Sequence, residues 1–427
     1  MNKLFSSKWV VLLASVIINI CIGTGYVWSV YQVGLFKESV SIFATQLTEG
    51  QLAMAFTICS AIAPVCMIVG EPLQRLLGKA RYVVFVGGLC FGGGLVLSGV
   101  CKSLVGLYLS YGLVTGFGLS LTYGIIIDNA VKFFPDKRGL VAGITTAAFG
   151  CGSIIFPPII ERIMTGLGVQ TAFVILGVVF ASVIVFFGIF ISSPAQKSCD
   201  HPLLTSKGLD NFVANKPSEN LQPDSDGLEK DSGIHKNWKQ MLGDKRFWLM
   251  ILAFTIFATG GLMVITQGAQ IVGALGVSNQ TVAALVVSII AIGNTVGRIA
   301  WGFLSDKLGR LNTLVVMSAS VALLGFGAFA FIKLGLLVPF IASAVLIAGC
   351  YGGSMGVYPA LTADNFGVKY NGVNYGIMFS GFALGGFIGP AVVNNLAYSD
   401  ALLCVGVLGV VALAIVFVLK KISGKRA

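Results

Sequence analysis

Gly302-Phe303-Leu304-Ser305-Asp306-Lys307-Leu308-Gly309-Arg310 lies between two long apolar runs. A counterpart stands 231 residues earlier, Glu71-Pro72-Leu73-Gln74-Arg75-Leu76-Leu77-Gly78-Lys79, in the same setting. A second echo appears at a shift of 233, where Gly139, Gly143, Phe149, Gly152 and Pro157 superpose on Gly372, Gly376, Phe382, Gly385 and Pro390. A third pairs Asp128-Asn129 with Asp364-Asn365. Three echoes in one order argue for a parallel duplication, an arrangement that in membrane carriers places a binding site between the copies.

The solvent around those copies is set by composition. With 56% hydrophobic and 11% charged residues in 427, the chain has too little polar surface to coat a water-soluble globule. About 20 apolar residues carry a helix across the hydrocarbon core. Runs of that kind extend from Trp9 to Gly34, Gln51 to Gly70, Tyr82 to Val100, Leu104 to Val131, Gly139 to Gly166 and Thr171 to Ile191. Six more extend from Phe247 to Leu275, Thr281 to Trp301, Thr313 to Ile332, Leu336 to Leu361, Gly372 to Leu396 and Ala401 to Leu419. The expected fold is therefore an all-α membrane protein of twelve transmembrane helices in two pseudo-symmetric six-helix bundles, residues 1–192 and 247–427. The polar stretch between them, 193–246, is rich in Pro, Ser, Asn and mixed charge and is expected to be a cytoplasmic linker. The first run far exceeds the apolar region of a signal peptide and is expected to be a span.

Of the 28 Lys and Arg residues, only Lys37, Lys102, Arg162 and Lys333 fall outside if both termini and the linker are cytoplasmic, and Arg298 falls within a span. That bias sets the expected topology as N-in, C-in, in the plasma (cytoplasmic or inner) membrane. The net charge of +11 sits in short loops rather than on one soluble face, which argues against nucleic acid. Nine cysteines are scattered without a C-x-x-C pair, and both histidines, His201 and His235, lie in the linker. No metal centre, cofactor or catalytic residue is expected, so an enzyme is not the reading.

Gly302 to Arg310 resembles the G-x-L-x-D-[RK]-x-G-R signature of the major facilitator superfamily, in the loop between helices eight and nine. The first-half copy departs from it, with Glu71 for the glycine and Arg75 for the acid. Further segments resemble the oxalate/formate antiporter family, which also holds monocarboxylate and pyruvate carriers: Gly25-Tyr26-Val27-Trp28-Ser29, Val131 to Pro135 with Lys137 to Leu140, Asn294 to Arg298, and Tyr375 to Phe382. The resemblance implies the major facilitator fold, with helices one, four, seven and ten around the substrate. It also implies gating roles for Gly302, Asp306 and Arg310, while the echo of Asp128 in Asp364 gives Asp128 a shared structural role at the gate, although it can be read as a proton carrier too.

Arg298 is the basic residue well inside a span. Such an arginine costs about 2.5–3.5 kcal/mol on insertion scales and usually faces a cavity or a partner. Its planar fork matches a carboxylate, and the resemblance implies that role. Asn294, one turn earlier, either orients it or bonds a neighbouring helix. Tyr26, Trp28, Tyr31, Tyr123, Gln267, Gln270, Tyr351 and Tyr358 are the polar or amphipathic side chains on the helices that the family resemblance assigns to the wall; of these Tyr26, Tyr31, Tyr123, Gln267 and Tyr351 join Phe149, Phe379 and Phe382 as candidate substrate contacts. In oxalate carriers a lysine accompanies the arginine, and its place aligns with Phe382. One cation suits one carboxylate.

The expected function is secondary transport of a small monocarboxylate such as pyruvate, lactate or formate by a lipid-embedded monomer. A coupled proton or a counter-anion stays open as second partner. The rivals are an oxalate/formate-type anion exchanger and a membrane sensor that keeps the fold without flux.

Overall fold

The computed structural model describes residues 8–192, 235–274 and 280–424; within these, the side chains of residues 26, 266–274, 280–284, 390, 393–395 and 398 lie outside the description. The linker residues 193–234 likewise lie outside the described residues. Among the described residues the structure is helical, with no strand.

Ten helices among the described residues are long and apolar enough to cross a membrane. Four precede residue 135: α1 (Lys8–Lys37), α2 (Glu49–Leu77), α3 (Ala80–Val100) and α4 (Leu104–Phe133). The fifth, Pro135–Gly188, has 54 residues, far more than one crossing needs. Gly168 divides it with φ +81°, a value that favours glycine. Val169 then donates its N–H to the Glu38 carboxylate at 3.1 Å, which supplies an acceptor to the first turn of the second piece. The pieces 138–167 and 169–188 are called α5 and α6.

The second half comprises α7 (Lys245–Ala274), α8 (Gln280–Leu308), α9 (Arg310–Lys333), α10 (Leu337–Phe366) and α12 (Tyr398–Ser423). Between the last two, α11 runs in two pieces, Asn371–Met378 and Ser380–Asn395, each shorter than a span. Residues 235–246 of the polar stretch fold onto this half. The short helix Trp238–Leu242 is closed by a capping box between Asn237 and Gln240. Lys236 donates its N–H to Phe366 at 2.9 Å and accepts from Asn374 Nδ2 at 2.9 Å. Burial alone would raise the Asp244 carboxyl, but its bonds from Arg246 and Lys236 outweigh that and hold it below the usual carboxylate range.

The outer surface is apolar, as a lipid-facing surface must be: Leu13, Val65, Leu89, Phe186, Leu323, Val338 and Phe417 are all more than half exposed. Inside, small residues set the helix spacing. Gly23 and Gly152 bring α1 onto α5, Gly92 and Gly177 bring α3 onto α6, and Gly297 and Gly349 bring α8 onto α10. The halves meet the same way, Gly139 of α5 against Gly302 of α8, and Gly143 against the backbone of Arg298. A Cβ at Gly302 would run into the Gly139 carbonyl, whereas one at Gly50 would meet nothing. Gly302→Ala should therefore lower the thermal midpoint in detergent by several degrees, the overpacking cost being about 1–3 kcal/mol, while Gly50→Ala should not lower it. Equal midpoints for the two variants would refute close packing across the seam.

Candidate functional site

A small cavity lies between the halves, lined from α1, α2, α4, α5, α8, α10 and α11. Its charged lining residue is Arg298 of α8, 3% exposed. Two guanidinium nitrogens are engaged. Nε donates to Asn294 Oδ1 at 3.2 Å, and Nη1 donates to the Thr146 carbonyl of α5 at 2.7 Å. No hydrogen bond or ion pair engages Nη2 among the described residues. Asn294 is itself anchored, its Nδ2 donating to the Ala348 carbonyl of α10 at 3.4 Å. It thus both orients Arg298 and ties α8 to α10, where the sequence had left those roles as alternatives. Nη2 thus keeps N–H donors free to meet an acceptor.

Aromatic rings line the same cavity. Tyr123 of α4 meets Phe149 of α5 edge-on at 5.2 Å and Phe379 of α11 at 5.9 Å, and Phe379 lies 4.8 Å from Phe382. All four line the cavity, and Phe149 and Phe382 are the two members of one sequence echo.

Other expected wall residues point elsewhere. Tyr31 stacks on Phe173 at 4.1 Å and Trp28 packs on Tyr111 at 4.2 Å, both inside the first half. Tyr358 stacks on Phe254 at 4.1 Å and donates to the Met250 carbonyl, inside the second half. Tyr351 is buried against Gly261 of α7. Tyr31 and Tyr351, expected as substrate contacts, are thus not among the cavity-lining residues; ring burial within each bundle takes them away from it. The side chains of Tyr26, Gln267 and Gln270 lie outside the described ones.

Sequence reading missed the wall supplied by α2: Phe56, Cys59, Ser60, Ala63 and Met67. Their spacing of three and four puts them on one helical face, and the small or weakly polar Cys59, Ser60 and Ala63 on that face were the available signal.

Charged contacts also join the two halves. Asp306 of α8 accepts from the N–H groups of Gly139 at 2.9 Å and Leu140 at 2.7 Å, the first turn of α5, and pairs with Arg310. A carboxylate at a helix N-terminus satisfies unpaired amides and opposes the helix dipole. Asp364 pairs with Arg138 at 2.6 Å and with Arg310 at 2.9 Å. The other seam repeats the pattern with different residues. Glu71 of α2 accepts from the Val373 N–H of α11 at 2.9 Å and from Arg75 at 2.6 Å. Val373 is Leu140 moved by the 233-residue shift. Asp128 pairs with Lys132 at 2.6 Å and accepts from Asn371 Nδ2 at 3.0 Å. The acid missing at position 75 is thus supplied by Glu71, one turn earlier, with Arg75 following it as Arg310 follows Asp306.

A chain with this fold, this interbundle cavity and this paired set of charged contacts is built as a membrane carrier. The description of the Major Facilitator Superfamily matches residues 4–390, and the chain belongs to that superfamily. It is 29% identical over 421 residues to the "Oxalate:formate antiporter" of Oxalobacter formigenes, covering 96% of this chain and 91% of that one. It is 27% identical over 380 residues to the "Uncharacterized MFS-type transporter YhjX" of Escherichia coli, covering 89% and 86%. Identity to "Apicoplast pyruvate carrier 1" of Toxoplasma gondii is 24% over 442 residues, covering 85% and 79%. Among solved structures, the proton:xylose symporter XylE superposes with a TM-score of 0.68 at 14% identity over 96% of this chain and 95% of that one, which establishes the fold. The protein is a multi-pass membrane transporter of the superfamily.

If Glu71 acts as a cap on α11, Glu71→Gln should destabilise by about 1.5–3 kcal/mol, as loss of a charged bond to an amide does, and Asp306→Asn likewise. Arg75→Ala should cost under about 1 kcal/mol, because Arg75 is 55% exposed. Thermal unfolding of the three variants decides it: equal losses for Glu71→Gln and Arg75→Ala would reduce Glu71 to an ion-pair partner.

Proposed function

We propose that the protein is a secondary carrier of a small monocarboxylate, such as pyruvate, lactate or formate, in the plasma or inner membrane. The carrying observation is Arg298: a buried cation, alone among the cavity-lining residues in being charged, with Nη2 turned to no protein partner among the described residues. One carboxylate neutralises it. Apolar rings around the pair exclude water and strengthen the attraction.

Residues 1–192 and 247–427 would act as the two rocking bodies joined by the 193–246 linker, in an N-in, C-in orientation. In that orientation the seam closed by Asp306, Asp364, Glu71 and Asp128 faces the cytoplasm, and the cavity is served from outside. Arg298 links site to seam, because its Nη1 bond to Thr146 crosses from α8 to α5. A bound carboxylate takes charge from that bond, which gives the substrate a differential hold on the two states.

An oxalate/formate-type exchanger is the second reading, favoured by the 29% identity to the Oxalobacter antiporter. Phe382 weighs against it, since a dicarboxylate needs a second cation and an aromatic ring stands in its aligned place. Uptake of labelled pyruvate, lactate, formate and oxalate into proteoliposomes, with and without a pH gradient, separates the readings. Flux of a monocarboxylate without an internal counter-anion is the expected result, and strict dependence on internal oxalate or formate would favour exchange. Arg298→Ala should abolish uptake and Arg298→Lys should lose at least about tenfold, since a point charge cannot replace the fork. Uptake undiminished in Arg298→Ala would sink the site.

A further inference from the structure

Serine hydroxyls buried in a helix usually bond the main chain of the preceding turn. Here Ser15, Ser98, Ser305, Ser318, Ser343 and Ser354 all do, donating to carbonyls three or four residues back. Ser120 of α4 departs from this pattern. It is 1% exposed, its Oγ has no hydrogen-bond partner among the described residues, and it lines the same cavity as Arg298. An unsatisfied buried hydroxyl is costly, and in a residue that lines a cavity a guest can complete the bonding. Ser60 and Cys59 of α2 and Tyr123 of α4 lie in the same wall, while Phe56, Met67, Leu119 and Met355 offer apolar surface.

The cavity therefore presents one cation, the unpaired Ser120 hydroxyl, the polar groups of Ser60, Cys59 and Tyr123, and an otherwise apolar wall. We propose that Ser120 Oγ hydrogen-bonds the oxygen on carbon 2 of the substrate while Arg298 holds its carboxylate, so that the site selects short 2-oxo and 2-hydroxy monocarboxylates over unsubstituted acids. The hydroxyl donates to a 2-oxo oxygen and either donates to or accepts from a 2-hydroxyl, so both classes are served. Phe56, Met67, Leu119 and Met355 accommodate a methyl or short alkyl end. An acid without a polar atom on carbon 2 leaves the serine unpaired, and rejection of substrates on that ground is the general strength of hydrogen-bonding sites. This inference rests on the monocarboxylate reading above and adds Ser120 as the specificity-determining residue.

The test uses the full-length chain in proteoliposomes with labelled pyruvate, lactate and propionate, the last having the same carbon count and no oxygen on carbon 2. Wild type should show a higher kcat/KM for pyruvate and lactate than for propionate. In Ser120→Ala the pyruvate-to-propionate ratio should fall about fivefold to tenfold, the worth of one neutral hydrogen bond. Ser120→Thr keeps the hydroxyl and should retain a ratio above that of Ser120→Ala. A serine held only for packing would lower the thermal midpoint when cut to alanine; a serine waiting for substrate should leave the empty protein as stable or more so. A Ser120→Ala ratio equal to that of wild type, or a wild type indifferent between pyruvate and propionate, overturns the proposal while leaving the carrier reading intact. Absence of wild-type uptake of all three acids overturns both.

Discussion

A guanidinium buried between two helical bundles organises this molecule. Arg298 is 3% exposed, so its charge must be met by protein dipoles or by a guest. Asn294 and the Thr146 carbonyl meet part of it. Everything close to it is arranged to permit that burial: Gly297 lets α8 lie on α10, Gly143 lets α5 lie on the Arg298 backbone, and Gly356 brings α10 onto that same carbonyl. Larger side chains at these positions would hold the helices apart and admit water to the charge.

The contact between the halves depends on a second electrostatic rule, that first-turn amides of a helix need acceptors. Each half offers an acid from its second helix to the helix that begins the other half's seam: Asp306 to α5 and Glu71 to α11. These bonds cross between the bundles, and they are few and charged. Such contacts hold one arrangement firmly yet break as a unit, which suits a two-state carrier better than a broad apolar interface would.

Hydropathy made the helices legible, because lipid demands long apolar runs whatever the packing. It divided the chain near Gly166 where a single glycine turns α5 into α6, and it counted as one run α11, which the structure divides at Phe379. The cavity was legible where chemistry is rare: a charge inside a span at Arg298, and an aromatic repeated between copies at Phe149 and Phe382. It was illegible where chemistry is common. Tyr31, Trp28 and Tyr358 share the composition of a substrate wall but bury their rings inside a bundle. Cys59, Ser60 and Ala63 look like ordinary small packing residues, and whether such a face meets lipid, helix or cavity is decided by tertiary arrangement alone. Glu71 escaped because motif comparison asks what stands at position 75, whereas the amides of α11 ask only where a carboxylate can reach.

That displacement by one turn has an effect beyond replacing a missing acid. Glu71 lies about 6 Å along the helix from the motif position, and its side chain is 5% exposed, while Asp364 on the opposite seam is 32% exposed. Dissolved ions screen charges they can approach, over about 8 Å at physiological ionic strength, and screen enclosed ones much less. Rising salt therefore loosens the Arg138–Asp364 contact well before it reaches the Glu71–Val373 contact. The exposed ion pair and the enclosed caps therefore answer differently to the ionic medium: salt reaches Arg138–Asp364 first and leaves the amide caps made by Glu71 and Asp306 in place.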